Sequence, residues 1–582
     1  MPLRRALQMI DPRSGAIELN PHFFNYPSLS IYLHLAGSEI VYAIGRVLGA
    51  WRSPADFLLA FQIDPTPVVI VARLIHVAAE LATVAAVFAI GRRVSKPCAV
   101  LAALLVALSP VLIRTQNTII VDTLVATLLA WSLERLLAWD ASRRMRDLLA
   151  SAALAGLAAS TKYPAALFLV PMLLVVALRA RGQFVRLAPV VLAIASAAFV
   201  LTSPFVILDA AHALRDIAYE REHLAIGHLG GQGGGRLLRN LAPLGSFGPL
   251  GLVLLVISPL AWRRATNRSL VVAALGGFVV LVAPYSSIHV DAERYLAPAV
   301  PMAAVLVAVA GTWLAAQMQP RFKMLARGGV IIATLAPVAL GGVQAAAGGV
   351  DDTQVLALEW CQRHVPANSL IVEEAWSAPL VTNVWKSDMA ETPMYRLAAA
   401  DARARFDQIR SYNVVTLPMW VTGTMGLPSG RRMEMIDLNR VCYQPALFAA
   451  ADYVITSSAV RGRYASDTRR FHVQEAFYAL LDRSAECVRV FSSSAAVSGP
   501  TIRVYRLTPR LRALLGQRPL SPSWWVPEPG AAGRPSTALA RHELATWKPL
   551  YDAYFWRFAE EMAYAARVRG DTSTAEGFAA AW

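Results

Sequence analysis

Apolar runs of about 20 residues recur upstream of residue 350, and no other feature restricts the fold as much. A helix needs roughly 20 apolar residues to cross a bilayer core of about 30 Å. Counted that way, about ten stretches read as spans: 67–91, 97–113, 118–138, 147–161, 165–178, 187–207, 244–262, 269–286, 296–316 and 328–347. The chain is 56% hydrophobic and only 16% charged over its 582 residues, where a soluble domain carries about a quarter charged residues. The stretches 147–161 and 165–178 are short and divided by Lys162-Tyr163-Pro164. Two short spans and a re-entrant pair therefore both stand as readings.

The net charge of +16 suggests topology rather than nucleic-acid binding, because much of it sits in short loops between apolar runs. Arg92, Arg93 and Lys96 follow the first span, and Arg143, Arg144 and Arg146 the third. Arg179, Arg181 and Arg186 follow the fifth, Arg263, Arg264 and Arg268 the seventh, and Arg321, Lys323 and Arg327 the ninth. All five clusters fall on one side, which the positive-inside rule makes cytoplasmic. Everything after residue 350 then lies outside. The segment 28–48 carries His34, Ser38, Glu39 and Arg46, and reads either as an outward-going span or as an amphipathic helix on the outer surface.

Residues 350–510 change character. A helix near 353–365, strands at 369–373 and 452–456, a helix near 470–482 and strands at 487–491 and 501–507 describe a small α/β domain. Residues 508–540 read as a Pro/Gly/Arg-rich linker before a last helix near 541–568, whose Trp547, Tyr551, Tyr554, Phe555 and Trp556 suit packing on the domain or a membrane surface. The division is 1–66, a partial first outer loop; 67–349, the membrane domain; 350–510, the outer α/β domain; and 511–582, linker and final helix. The four cysteines show no CxxC spacing, which argues against zinc or a redox pair and leaves one disulfide open among Cys361, Cys442 and Cys487. The run 230–235 (GGQGGG) is no P-loop, since no GK[ST] follows.

Ionisable residues in spans are costly, which makes them functional candidates. Arg73, His76 and Glu80 lie on one helical face. Asp122 opens the third span, Lys162 sits at the outward break, and His289, Asp291, Glu293, Arg294 and Tyr295 crowd a short outer loop. Arg73, Asp122, Lys162, His289, Glu293 and Arg294 come from distant parts of the chain, yet the topology sends all of them to the outer face. Lysine supplies a point charge and arginine a fork for phosphate oxygens. The pattern describes an outward-facing site for an anionic, lipidic ligand. His289 with Asp291 or Glu293 is not a specific metal signature, and a divalent ion at Asp122 stays open.

Asn20-Pro21-His22-Phe23-Phe24-Asn25-Tyr26-Pro27-Ser28-Leu29 resembles the first outer loop of the bacterial protein-mannosyltransferase-like glycosyltransferases, members of the GT-C superfamily related to the lipid A aminoarabinose transferase. Similar likenesses are Ala72-Arg73-Leu74 opening a span that ends Gly91-Arg92-Arg93, Asp122 after Gln116-Asn117-Thr118, Gly156 to Ala165 (GLAASTKYPA), and Arg294-Tyr295-Leu296-Ala297-Pro298. The resemblance covers roughly residues 5–350. It implies a GT-C polytopic α-helical fold with an extracytoplasmic α/β domain in a bacterial inner membrane. It further implies inverting transfer of a sugar from a polyprenyl-phosphate donor to a lipid, glycan or protein acceptor. It places 28–48 as a juxtamembrane helix and adds His22, Tyr26 and Tyr163 to the substrate-binding candidates. In the family an acidic motif supplies the base on the acceptor, ahead of the segment matching Arg5 to Asn20, so the expected base lies upstream of Met1. A transporter or flippase of lipid-linked sugars, or a degenerate accessory subunit, is the alternative. The former would be expected to show inverted repeats and midplane charge, and neither is visible.

Overall fold

The structure, a computed structural model, describes residues 2–116, 118–226, 241–263, 268–286, 293–317, 323–347, 351–417, 424–426, 432–494, 496–517, 558–567 and 576. It divides into two compact units, residues 1–225 with 233–347 and 397–406, and residues 226–232 with 348–396 and 407–582.

The first unit is a polytopic helical bundle of membrane type. A helix stands over each of the ten apolar stretches. Among the described residues, five are long and apolar enough to cross a membrane: Thr66–Arg92, Arg181–Thr202, Ala242–Ala261, Glu293–Gln317 and Gly328–Ala347. Lys96–Ala107 and Pro110–Gln116 make a sixth if the pair, bent by 47°, counts as one span. The helix Asp122–Ser142 carries Asp122, Glu134, Arg135 and Asp140, too many charges for a lipid-facing helix. It is buried along most of its length, as expected of a central helix whose polar groups must face protein.

That helix is also the ruler of the bundle. At one end Glu134 binds Arg93 at 2.5 Å and also pairs with Arg135, which reaches Asp147 at 3.2 Å, while Asp140 holds Arg143 at 3.0 Å and Arg179 at 2.7 Å. Arg93, Arg143 and Arg179 belong to the basic clusters, so this is the inner end. At the other end Asp122 binds Lys162 at 2.6 Å. The chain segments Met145–Ala159, Tyr163–Phe168 and Leu169–Arg179 thus run from Asp147 at the inner end to Lys162 at the outer end and back to Arg179. Asp122 and Asp140 are 18 residues apart, about 27 Å along a helix, which makes the pair a full-depth hairpin and not a shallow re-entrant one. Gly156 permits its packing: a Cβ there would lie 2.1 Å from the carbonyl oxygen of Ala195 on the helix Phe184–Thr202, the close backbone approach that small residues allow in membranes. The segment 28–48 is a helix, Leu29–Val47, with His34 and Ser38 buried, and it is not among the helices apolar enough to span.

The second unit is an α/β domain around a five-stranded sheet. In spatial order its strands are Asn413–Thr416, Leu370–Glu373, Tyr453–Ser457, Ile502–Arg506 and Glu486–Phe491. The first three pair in parallel, the last two antiparallel. Alternation does the sorting: Leu370 and Val372 join one apolar core with Tyr443 and Tyr478, while Ile371 faces the other with Cys361 and Tyr412. The helix Thr353–His364 is capped by Asp352, whose side chain accepts from the Gln354 amide.

One reading is corrected here, one open point is closed and one element is added. The stretch 508–540 does not begin as a linker, because Thr508 caps a helix, Pro509–Gly516, that buries Leu511 and Leu515; the rest, 518–540, lies outside the described residues. No disulfide forms, and all four cysteines are free. Cys361 and Cys442 belong to different cores, and Cys487 is exposed. The strand Asn413–Thr416 was not expected, since NVVT is too short to show alternation. Of the final helix, 558–567 is described, and Phe558 and Met562 pack into the larger core. The aromatics at 547–556 lie outside the described residues.

Candidate functional site at the outer end of the bundle

Three chain segments that are distant in sequence meet at the outer end of the helix Asp122–Ser142. Lys162, where the hairpin turns, donates to Asp122 Oδ1 at 2.6 Å. Both side chains are largely buried, at 12% and 3% exposure, so the pair sits in a low-dielectric setting where an unpaired charge would be costly. The Lys162 ammonium also lies 4.3 Å from the centre of the Tyr295 ring, and the Arg294 guanidinium 5.4 Å from that centre. Tyr295 is buried and Arg294 exposed. One aromatic ring therefore carries two cations, one anchored by a carboxylate and one facing out. Cation–π contacts of this kind hold charge in place without neutralising it.

The loop Asn20–Ser28 closes over this arrangement. Tyr26 is half-buried, and its phenol is pushed well above its usual range, first by desolvation and then by the nearby Tyr295 phenol, with Arg294 acting the other way. The Tyr163 hydroxyl donates to the Phe24 carbonyl at 3.0 Å. The Ser28 amide donates to Ser203 Oγ at 2.8 Å, and the Leu29 amide to the Ser160 carbonyl at 3.1 Å. The helix Ala210–Ile226 clamps the loop from its other side. Asp216 accepts from the Phe24 amide at 2.7 Å, Glu220 from the Asn25 amide group at 3.1 Å, and Asp209, just before the helix, from Asn20 at 2.9 Å. The Asn20 and His212 hydrogen bonds hold the Asp209 carboxyl below its ordinary value.

The structure thus brings Asp122, Lys162, Tyr163, Arg294, Tyr295 and Tyr26 to one place. Arg73 is exposed on its helix, and among the described residues no hydrogen bond or ion pair ties it to Asp122, whose partner is Lys162. His22 has its backbone in the left-handed region (φ 45°) and its ring against Glu18 at 2.6 Å and Asp209 at 3.7 Å, which makes it part of the loop clamp. Glu293 is taken up by a two-pronged bond from Arg114, one arm at 2.9 Å. His289 and Asp291 lie outside the described residues. Among the described residues no group of three or more His, Cys, Asp or Glu side chains is placed to hold a metal ion.

Sequence reasoning missed Arg114, Asp209 and Asp216. Arg114 falls just past the apolar run 97–113. Asp209, His212, Asp216 and Glu220 repeat at helical spacing, and that period was the available signal. His76 was read with Glu80 as a polar stripe. Its ring meets His34 at 3.3 Å, while His76 Nδ1 and Glu80 Oε2 are buried with no hydrogen-bond partner among the described residues.

Beside the hairpin turn lies an apolar groove of about 360 Å³, lined by Gly156, Ala159, Tyr163, Leu169, Phe199 and Val200 among others. Tyr163 belongs to both features, since its hydroxyl holds the loop and its ring lines the groove.

Residues 66–208 match the family model described as dolichyl-phosphate-mannose-protein mannosyltransferase. The matched stretch includes Asp122, Lys162, Tyr163 and the whole hairpin. No curated protein matches. Among solved structures, ArnT from Cupriavidus metallidurans bound to undecaprenyl phosphate is similar at 13% identity and TM-score 0.42, covering 86% of this chain and 92% of its own. The apo state of the same enzyme gives 13% identity and TM-score 0.41, with 88% and 93% covered. The mycobacterial arabinofuranosyltransferase AftD gives 15% identity and TM-score 0.37, with 87% of this chain and 39% of its own covered. These superpositions are too loose to set any residue of one chain on a residue of another.

Proposed function

We propose that the chain is a GT-C-type membrane glycosyltransferase that moves a sugar from a polyprenyl-phosphate donor to an acceptor at the outer face of the membrane. The observation that carries this is the junction of two features at the hairpin turn: the Lys162 and Arg294 cations on Tyr295, and the apolar groove that shares Tyr163. A lipid phosphate has the matching shape, with a charged head and an apolar tail. The family match over 66–208 supports the same reading.

In this reading Arg294, exposed and forked, and Lys162 bind the donor phosphate. The acceptor hydroxyl attacks the anomeric carbon, the bond from that carbon to the phosphate oxygen breaks, and polyprenyl phosphate leaves with the bonding pair. Negative charge grows on the leaving phosphate, so fixed cations stabilise the transition state more than the ground state. The hydroxyl proton passes to a carboxylate base. Asp122 holds Lys162, and Asp216 and Glu220 hold the loop; each of the three is engaged in positioning.

The test is a transfer assay with a radiolabelled polyprenyl-phosphate sugar, the purified chain and an envelope extract as acceptor. Label moving from the lipid to a non-lipid or glycolipid product, and doing so less with Arg294→Ala, is the expected result. Movement of intact donor across a liposome bilayer with no transfer would instead indicate a transporter.

A further inference from the structure

A second apolar groove, of about 300 Å³, lies at the opposite end of the bundle, between the helices Lys96–Ala107 and Lys323–Ala347. Pro97, Val100, Leu101, Leu104, Ile331 and Leu335 line it, and Lys96 stands at its mouth. Lys96, Val100 and Leu104 are spaced i, i+4, i+8, which stacks them on one stripe of the helix. Ile331 and Leu335 repeat that step on the facing helix. The result is a slot with a cation at the top and aliphatic side chains below, about 12 Å from first to last at 1.5 Å per residue. Half of a bilayer core is about 15 Å, so the slot fits within one leaflet.

The end of the bundle decides which leaflet. Lys96 follows Arg92 and Arg93 at the inner end, where Arg93, Arg135, Arg143 and Arg179 are all ion-paired to acids. Lys96 is exposed and has no acidic partner among the described residues. Val100 and Leu104 are half exposed, at 50% and 38%. We propose that this slot is a binding site for an anionic phospholipid of the inner leaflet, with the headgroup phosphate on Lys96 and one acyl chain along Val100, Leu104, Ile331 and Leu335. Basic residues between membrane helices on the cytoplasmic side recognise anionic headgroups in this way. A free phosphate would use only the lysine, and a zwitterionic lipid would gain little from its charge. The site is separate from the outer-end cluster and does not depend on what that cluster does.

The experiment is native mass spectrometry of the full purified chain, titrated with phosphatidylglycerol or phosphatidylcholine. Phosphatidylglycerol should be retained preferentially. Lys96→Gln should lower its affinity about fivefold and leave phosphatidylcholine unchanged, and Leu104→Trp, which fills the slot, should weaken both lipids. If Leu104→Trp does not fold, Val100→Phe replaces it. Soluble glycerol phosphate should not displace the bound lipid. Equal retention of the two lipids by the unaltered chain, no effect of either variant, or full displacement by glycerol phosphate would each overturn the proposal.

Discussion

Replacing Lys162 with Met removes the ammonium while keeping the length of the side chain, and strands the Asp122 carboxylate at 3% exposure. Two unit charges about 4 Å apart interact by about 4 kcal/mol at an effective dielectric constant of about 20. Breaking one side of a buried pair typically costs about 3–5 kcal/mol, because a charge remains without a partner. Lys162→Met should therefore destabilise the bundle by about 3–5 kcal/mol. Asp122→Asn should cost less, because the lysine stem can carry its charge toward the outer interface while the buried aspartate cannot. The double variant should cost less than the sum of the two single changes, with a coupling energy of about 1–3 kcal/mol. Urea or thermal unfolding of the four proteins in one detergent measures this cycle. Additive single effects would mean that the 2.6 Å contact contributes nothing, and the view of Lys162 as an anchored cation would fail.

Arg114→Ala should change stability by about 1 kcal/mol or less, since its pair with Glu293 is half exposed. It should raise the donor KM by freeing Glu293 next to Arg294; an unchanged KM would remove Arg114 as a positioning residue. Gly156→Val should weaken the bundle by about 1–3 kcal/mol through overpacking against Ala195, while Gly156→Ala should be milder; a melting series that reverses this order would refute the close-approach reading. In the α/β domain, burial pushes Glu373 up to about 8 from 4.5. The folded state then holds a proton that the unfolded chain has released. Stability from this group is fully present below about pH 4.5 and is lost as pH rises toward about 8, at no more than about 1.4 kcal/mol per pH unit. Denaturation between pH 5 and pH 8.5 should show that decline, and Glu373→Gln should make it shallower, the remainder coming from Glu374, which burial also pushes up, to about 7.

The membrane architecture was legible because hydropathy and alternating basic clusters are independent signals that agree. Arg93, Arg143 and Arg179 do sit at one end, opposite Lys162. The α/β elements at 353–365, 369–373, 452–456 and 501–507 were readable from alternation and helical period. Less legible was pairing. No local pattern pairs Asp122 with Lys162, 40 residues further on; the turn at Tyr163-Pro164 brings the two to 2.6 Å. The clamp on the Asn20–Ser28 loop depends on contacts nearly 200 residues apart, such as Phe24 with Asp216, which no local pattern encodes. The helix Pro509–Gly516 was hidden because its proline was read as a loop signal, whereas proline in the first turn is compatible with a helix. The free cysteines follow from two cores on opposite faces of one sheet, a fact of tertiary packing.

The central claim is that the outer-end cations hold a lipid phosphate. Binding of radiolabelled polyprenyl phosphate to the purified chain tests it most directly, with Arg294→Ala measured alongside and Arg73→Ala as the comparison. Saturable binding that Arg294→Ala weakens about tenfold, the effect of losing about 1.4 kcal/mol, and that Arg73→Ala leaves unchanged is the predicted result. No saturable binding, or equal loss in both variants, would contradict the account.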